Sequence, residues 1–349
     1  KEKLQYRFDG KWLQLEKKKV KLKVKIGFLK IPVKKTIYKS VYGPTLKSKD
    51  GNYYSLRFAA STDIEAAEQW YKMNKAKNFE EFQQALELQH IKGLNTIYAD
   101  AKNNIYYLDN AALPLRNPNY DWWDVLPGDT SATLWDNTKF APLKDLIQVK
   151  NPDCGFVFNT NNTPLLSTGK DCQPAYNDFP TSKYYFRFNN NRSLRMFDLL
   201  SSQDTFSYED FKRIKYDQSY RTPLYTFAMA NIADIFTLSP EKYPEISDVL
   251  KILKEWDRDS DIHSNGATIT TLFSGMFIKD YFTKNGMPTK EVFLSEEDFV
   301  NYLVKTRKYL IKYFDTVKVP LGDFQKLVRG ENELPVSGIS DVIATMNCK

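Results

Sequence analysis

The sequence is poor in the side chains on which many catalytic and metal sites depend. Its 349 residues include only two histidines, His90 and His263, and three cysteines with no CxxC pair. A structural zinc site is therefore not expected. A His-dependent triad would have to use His90, which follows a predicted helix, or His263, which lies in a polar loop, and both positions favour surface or capping roles. Neither a Gly-x-Ser-x-Gly elbow nor a phosphate-binding glycine loop is present.

Long apolar runs are also missing. None approaches the roughly 20 residues of a membrane helix, and the polar start at Lys1 does not read as a signal peptide. With 42% hydrophobic and 15% aromatic residues, the composition is that of a soluble globular protein with a sizeable core. Cys154 and Cys172 would close a short loop if the protein is exported, leaving Cys348 over, but three ordinary thiols fit the sequence equally well.

Positive charge is concentrated near the start of the chain, although the net charge is only +7. Six lysines between residues 17 and 25 alternate with Val20, Leu22, Val24 and Ile26, a period that predicts a half-buried strand with one solvated lysine face. Lysines on such a strand protect a sheet edge from aggregation. A polyanion site is the alternative, but we expect neither a nucleic-acid nor a membrane partner.

The order of patterns predicts an α+β protein. Residues 1–190 form a sheet-rich portion, 191–316 a helical lobe and 317–349 a segment that returns to the core. Turn signals include Asp9-Gly10 and Asp50-Gly51-Asn52. A hairpin is expected over 94–107, a strand over 155–158, and amphipathic helices over 194–200, 208–214, 224–236, 246–256 and 299–314. Ser61 or Thr62 should cap one earlier helix, and Asn78 another.

An asparagine cluster at Asn159, Asn161 and Asn162 needs an explanation, because asparagine is a poor strand former. Turn chemistry is one explanation, since asparagine tolerates unusual dihedral angles and bonds to nearby backbone. The other is an oxyanion donor, an amide N–H that stabilises charge on a tetrahedral intermediate.

Short segments along nearly the whole chain, taken in order, resemble the penicillin-acylase family of N-terminal-nucleophile hydrolases. They include residues 9–12 (DGKW), 41–44 (VYGP), 73–79 (MNKAKNF), 95–100 (NTIYAD), 126–135 (LPGDTSATLW), 159–164 (NTNNTP), 264–267 (SNGA) and 334–338 (LPVSG). Each segment alone is weak evidence, but their order together is specific.

The resemblance implies an αββα sandwich, here partial and with a helical lobe, matured by autocatalytic cleavage into two subunits. In the family, the serine exposed at the start of the large subunit attacks an amide carbonyl and its own α-amine takes the proton. An α-amine with a pKa near 8 needs no imidazole, which accounts for the scarcity of histidine. The implied substrate is an N-acylated small molecule of the β-lactam or acyl-homoserine lactone type.

By motif position, the resemblance implies roles for three residues. Asn161 is the expected oxyanion donor, Arg192 is expected to orient that asparagine and the amine, and Thr96 is expected to line the acyl pocket. The alternative for Arg192 is a salt bridge within residues 189–198.

The chain departs from the family pattern in several places. It begins with Lys1, downstream of the expected nucleophile, so the N-terminal part of the large subunit and the small α-subunit, from the same precursor, are expected as partners. This fragment alone should be inactive. Tyr42 replaces the usual histidine before Gly-Pro. Calcium-binding carboxylates are not matched around Asn177 to Ser182, so no cofactor is expected, and calcium is left as an alternative without matched ligands. The family implies a periplasmic or secreted bacterial protein. The alternative is a degenerate, non-catalytic member that acts as a binding protein.

Overall fold

A computed structural model describes residues 4–59, 64–109, 112–181, 184–185, 189–221, 230–231, 233–286 and 292–344. The described strands are β1 (Gln5–Phe8), β2 (Lys11–Gln14), β3 (Glu16–Ile26), β4 (Leu29–Ser40), β5 (Gly43–Lys47), β6 (Tyr53–Ser55), β7 (Thr96–Ala99), β8 (Ile105–Leu108), β9 (Gln148–Lys150), β10 (Ala230–Asn231), β11 (Val292–Phe293), β12 (Lys326–Arg329) and β13 (Asn332–Pro335). The described helices are α1 (Ala66–Lys75), α2 (Phe79–Leu86), α3 (Asn191–Leu200), α4 (Tyr208–Lys215), α5 (Ser247–Glu255), α6 (Asn265–Asn285), α7 (Glu296–Phe314) and α8 (Leu321–Phe324).

The strands form small sheets joined mostly by tight turns. Strands β3, β4, β5 and β6 form one antiparallel sheet in chain order, and β7, β8 and β9 form another. Two further antiparallel pairs are β1 with β2 and β12 with β13, while β10 and β11 are parallel. The predicted turns after Phe8 and Lys47 and the predicted hairpin at β7 and β8 are confirmed. The division at residues 190 and 316 remains a prediction.

Residues 155–158 do not form the expected strand, and that prediction was wrong. The third strand of the sheet is instead β9, in which Val149 pairs with Tyr107. In the predicted segment, the Phe158 N–H donates to the Ser167 carbonyl (2.9 Å) and the Thr168 hydroxyl donates to the Phe156 carbonyl (2.6 Å). The segment is therefore bonded to its own following loop.

Strand β3 is confirmed, but the prediction that it is half-buried was wrong. Leu22, Val24 and Ile26 are 46%, 41% and 60% exposed, so the apolar row faces solvent like the lysine row. Pairing with β4 satisfies the backbone of β3 along one edge without covering either face.

Of the two helix caps predicted from sequence, the one at Asn78 is confirmed. Asn78 accepts the Glu81 N–H at 2.8 Å and starts α2, as expected. Helix α1 starts only at Ala66, while Ser61 and Thr62 lie outside the described residues. Helices α3, α4, α5 and α7 confirm four amphipathic predictions. Residues 224–229 and 232 of the predicted helix over 224–236 lie outside the described residues. In the described part that prediction was wrong, because Ala230–Asn231 form β10 and Ala233–Phe236 form a short 3₁₀ helix.

Helix α6, the longest helix that the structure describes, was not predicted from periodicity. Its N-terminal half lies inside the main hydrophobic core, which α5 and α7 share, and residues 266–270 are all buried. A helix buried on several sides has no polar face and so no amphipathic period.

Gly266 allows α6 to approach Trp256 closely. A Cβ at Gly266 would lie 2.2 Å from the Cγ of Trp256, whereas a Cβ at Gly275 in the same helix would have no neighbour within 4 Å. The side chain of Trp256 is 8% exposed, and its ring N–H donates to the Asp259 carbonyl (2.7 Å), so it has little room to move.

We predict opposite effects of one substitution at these two glycines. Gly266→Ala should lower the free energy of unfolding by about 1–3 kcal/mol through overpacking against Trp256. Gly275→Ala, the matched control, should raise it by about 0.5–1 kcal/mol because alanine favours the helix. Urea unfolding of both variants measures this, and equal effects at the two positions would contradict the packing.

Candidate functional site

The asparagine cluster lies in a loop closed by a disulfide. Cys154 and Cys172 are bonded, with Cα atoms 6.2 Å apart, which answers the question that the sequence left open. A Cβ at Gly169 would lie 2.6 Å from the Cβ and the sulfur of Cys154, so the loop needs a glycine there to close. The disulfide therefore constrains the segment that carries Asn161.

The side chains of two of the three asparagines stabilise local turns. Asn159 accepts the Asn161 N–H (2.9 Å), and Asn162 accepts the Thr160 N–H (3.0 Å). Asn161 itself has φ = 59°, in the left-handed region that asparagine tolerates. The turn explanation thus holds for Asn159 and Asn162 and for the backbone of Asn161.

The side chain of Asn161 makes a different contact. Its Oδ1 accepts a hydrogen bond from the Nη1 of Arg192 at 3.2 Å. A guanidinium has donors and no acceptor, so the amide oxygen must face Arg192 and the NH₂ group must point away from it. No hydrogen bond found among the described residues uses that NH₂ group, and Asn161 is exposed. The arrangement leaves an oriented, available amide donor.

Arg192 is placed by the start of α3. Asn190 caps this helix by accepting the Ser193 N–H (2.8 Å). Its Nδ2 also donates to the carbonyls of Thr160 (3.2 Å) and Asn161 (3.3 Å). One side chain therefore starts the helix and fixes it against the loop.

Asp341 completes the arrangement from the far end of the chain. Its Oδ1 accepts from the Nε of Arg192 (3.2 Å), and its Oδ2 accepts from the Asn191 N–H (2.7 Å). Burial raises the pKa of Asp341, while the Asn191 bond and the charge of Arg192 oppose the rise. Arg192 is thus in a salt bridge, but outside residues 189–198, the region considered from sequence.

Thr96 lies close to the loop in the fold. It is the first residue of β7, is 9% exposed and pairs with Leu108. The preceding residue, Asn95, donates its Nδ2 to the Oδ1 of Asn159 at 3.1 Å. The structure thus brings the start of β7 to the asparagine cluster, while the role of Thr96 in an acyl pocket remains a prediction.

Other features of the described residues lie apart from this cluster. A cavity of about 540 Å³, lined in part by His90, Lys139 and Phe140, includes none of the three residues predicted for the site. No group of three His, Cys, Asp or Glu side chains suited to a metal occurs in the described ranges. This absence does not test whether the protein binds a cofactor, so the expectation that it binds none remains a prediction.

Sequence reasoning missed Asn190 and Asp341. Asn190 had a readable signal, since an asparagine three residues before a serine at the start of an apolar period is a helix cap. Asp341 had none, because its partner Arg192 lies 149 residues away.

Comparisons with known proteins agree on one family. The family model for penicillin amidase matches residues 1–320. The chain is similar to penicillin G acylase of Escherichia coli, with 28% identity over 162 residues, which are 46% of this chain and 18% of that protein. It is also similar to acyl-homoserine lactone acylase PvdQ of Pseudomonas fluorescens (strain Pf0-1), with 30% identity over 161 residues, covering 40% of this chain and 20% of that protein.

A solved structure shows the same fold. The thermostable penicillin G acylase from Alcaligenes faecalis matches with a TM-score of 0.57 and 16% identity, over 99% of this chain and 68% of that one. This confirms the predicted fold class, the α+β fold of the N-terminal-nucleophile hydrolases. The chain spans about a fifth of the length of the curated relatives it matches.

We predict a pH-dependent loss of stability in Arg192→Met. Without the arginine, Asp341 is a buried carboxylate with no counter-charge, and its pKa rises further. Urea unfolding near neutral pH should show a loss of about 3 kcal/mol. A carboxyl whose folded pKa is raised is most compatible with the fold below its unfolded pKa, so the loss should shrink as Asp341 is protonated in acid.

The double variant Arg192→Met/Asp341→Asn should recover stability at neutral pH, because no uncompensated charge remains. A loss in Arg192→Met that is the same at acid and neutral pH would contradict the role given to Asp341.

Proposed function

Since this chain belongs to the penicillin amidase family, we propose that it forms part of an amidohydrolase that cleaves the amide bond of an N-acylated small molecule. The substrate is of the β-lactam or acyl-homoserine lactone type, following the names of its relatives. The observation that carries the proposal is the orientation of the Asn161 amide by Arg192.

The proposed reaction uses a nucleophile from another part of the same precursor. The hydroxyl of an N-terminal serine attacks the substrate carbonyl, and the serine's α-amine accepts the hydroxyl proton. The carbonyl oxygen becomes an oxyanion, toward which Asn161 Nδ2 donates a hydrogen bond. The C–N bond then breaks, the leaving amine takes the proton, and water hydrolyses the acyl-serine ester.

Arg192 acts in this scheme as a positioning residue. Its Nη1 holds the amide oxygen of Asn161, which fixes the direction of the donor before charge develops. Asp341 holds the Nε of the same guanidinium, so the arginine has little freedom to turn. A preorganised donor stabilises a transition state better than one that must first reorient.

The remaining partners and the location follow from the same proposal. The small α-subunit and the N-terminal part of the large subunit, from one precursor, supply the serine and most of the substrate pocket. The disulfide between Cys154 and Cys172 supports a periplasmic or secreted protein, because such bonds persist in oxidising compartments. None of the described helices is long and apolar enough to cross a membrane.

A non-catalytic binding role is the second candidate. The exposed apolar and lysine rows of β3 favour it, since a purely catalytic domain does not need them. Amide hydrolysis that depends on Asn161 would support the catalytic role over a purely binding role.

We predict that Asn161→Gly lowers kcat of the complete processed protein by about 10²–10³-fold, because the amide donor is lost while glycine accepts the positive φ. Hydrolysis of a chromogenic acyl amide measures this. Asn103→Gly, which makes the same change at an exposed left-handed asparagine in the β7–β8 turn, is the matched control and should keep full activity.

A second control separates positioning from stability. Arg195, one turn further along α3, pairs with Asp217 at 2.7 Å and does not contact Asn161. Arg192→Met should lower kcat with little change in KM, whereas Arg195→Met should leave kcat unchanged. Full activity of Asn161→Gly would remove Asn161 from the mechanism.

We also predict that mass spectrometry of the full gene product finds a processed subunit that begins with serine, cysteine or threonine upstream of Lys1. Replacing that residue with alanine should abolish both processing and hydrolysis. A product with no such residue at its processing site would instead identify a degenerate family member.

A further inference from the structure

Strands β3 and β4 form a long hairpin, the lysine hairpin, spanning residues 16–40. Eleven residue pairs connect the two strands, from Glu16 with Lys39 to Ile26 with Leu29. At about 3.3 Å per residue the hairpin is roughly 35 Å long. Gly27, with φ = 60°, and Phe28 form the turn at its free end, and glycine at the first central position is typical of a type II′ turn.

The register separates the hairpin into two unlike faces. Near the turn, one face pairs Leu22 with Val33, Val24 with Ile31 and Ile26 with Leu29. All six side chains are between 41% and 60% exposed, and Phe28 at the turn is 92% exposed. The other face carries lysines at alternate positions of β3, together with Lys30 and Lys34 of β4.

Charge is concentrated in the same element. Residues 16–40 contain ten lysines and one glutamate, a net charge of +9, which exceeds the +7 of the whole chain. The remainder of the protein is therefore slightly acidic. An attraction to anions is thus a property of the hairpin and not of the protein as a whole.

We infer that the lysine hairpin attaches the protein to the surface of an anionic phospholipid bilayer. The apolar end around Phe28 enters the boundary between headgroups and acyl chains, and the flanking lysines reach lipid phosphates. Long lysine side chains can extend around a two-stranded ribbon and keep their charge at the headgroup level. Combined apolar burial and anionic attraction is the usual basis of peripheral membrane binding.

Charge complementarity and the position of the apolar residues select this occupant. A nucleic acid would use the lysines but gains nothing from the exposed row that ends at Phe28. A bilayer uses both, and it needs the apolar residues at the free end of the hairpin, where they lie. The proposed attachment is peripheral, and it differs from the expectation from sequence that the protein has no membrane partner.

Co-sedimentation with vesicles tests the inference. The complete processed protein should bind vesicles of phosphatidylglycerol and phosphatidylcholine, bind less at high salt, and bind pure phosphatidylcholine at least tenfold more weakly. Phe28→Ser should weaken binding about tenfold. Phe211→Ser, which alters a 62% exposed phenylalanine on α4, is the matched control and should bind like the original protein.

The contribution of charge is tested in the same way. Lys23→Glu/Lys25→Glu should weaken binding at least tenfold, since each lysine near an anionic surface contributes about fivefold. Lys251→Glu/Lys254→Glu on α5, which makes the same change in net charge, should have little effect. These positions are exposed, so all the variants should fold.

Several results would overturn the inference. Equal binding of the hairpin variants and the original protein would exclude the hairpin. Failure to bind anionic vesicles, together with retention of DNA that Phe28→Ser does not affect, would assign the lysines to a polyanion. A dimer in vesicle-free solution that Phe28→Ser dissociates would assign the apolar face to a second copy of the chain.

Discussion

The hydrogen bond from Arg192 to the amide oxygen of Asn161 is the contact on which the candidate site depends. A guanidinium cannot accept a hydrogen bond, so this contact decides which end of the amide is presented as a donor. Asp341 holds the other side of the same arginine. The Asp341 carboxylate holds the Arg192 guanidinium, which in turn holds the Asn161 carboxamide. These contacts fix the direction in which Asn161 can donate a hydrogen bond.

Three distant parts of the chain must meet for this series to form. The disulfide-closed loop supplies Asn161, the first turn of α3 supplies Arg192, and Asp341 follows the β12–β13 hairpin. Asn190 joins two of these parts, because it caps α3 and also donates to the loop carbonyls. The main helical core includes Val342, next to Asp341, so packing around α6 helps to set where Asp341 lies without touching the site.

Short-range sequence patterns predicted much of the local structure, but they could not predict contacts between residues far apart in the chain. Asn78 was recognised as a cap because the cap and its helix are adjacent, whereas α6 was missed because burial on several sides removes its period. The alternation in β3 predicted a strand, but alternation cannot say whether anything covers the apolar row. Asn161 and Arg192 came from family resemblance, while Asp341 needed the fold.

We propose that Asn161 presents its NH₂ group to a developing oxyanion while Arg192 holds its oxygen. A crystal structure of the complete processed protein with a phosphonate analogue of the tetrahedral intermediate tests this most directly. We expect Asn161 Nδ2 at about 2.7–3.1 Å from a phosphonate oxygen, with Oδ1 still on Arg192. A phosphonate bound by other donors, with the Asn161 amide turned to solvent, would contradict the claim.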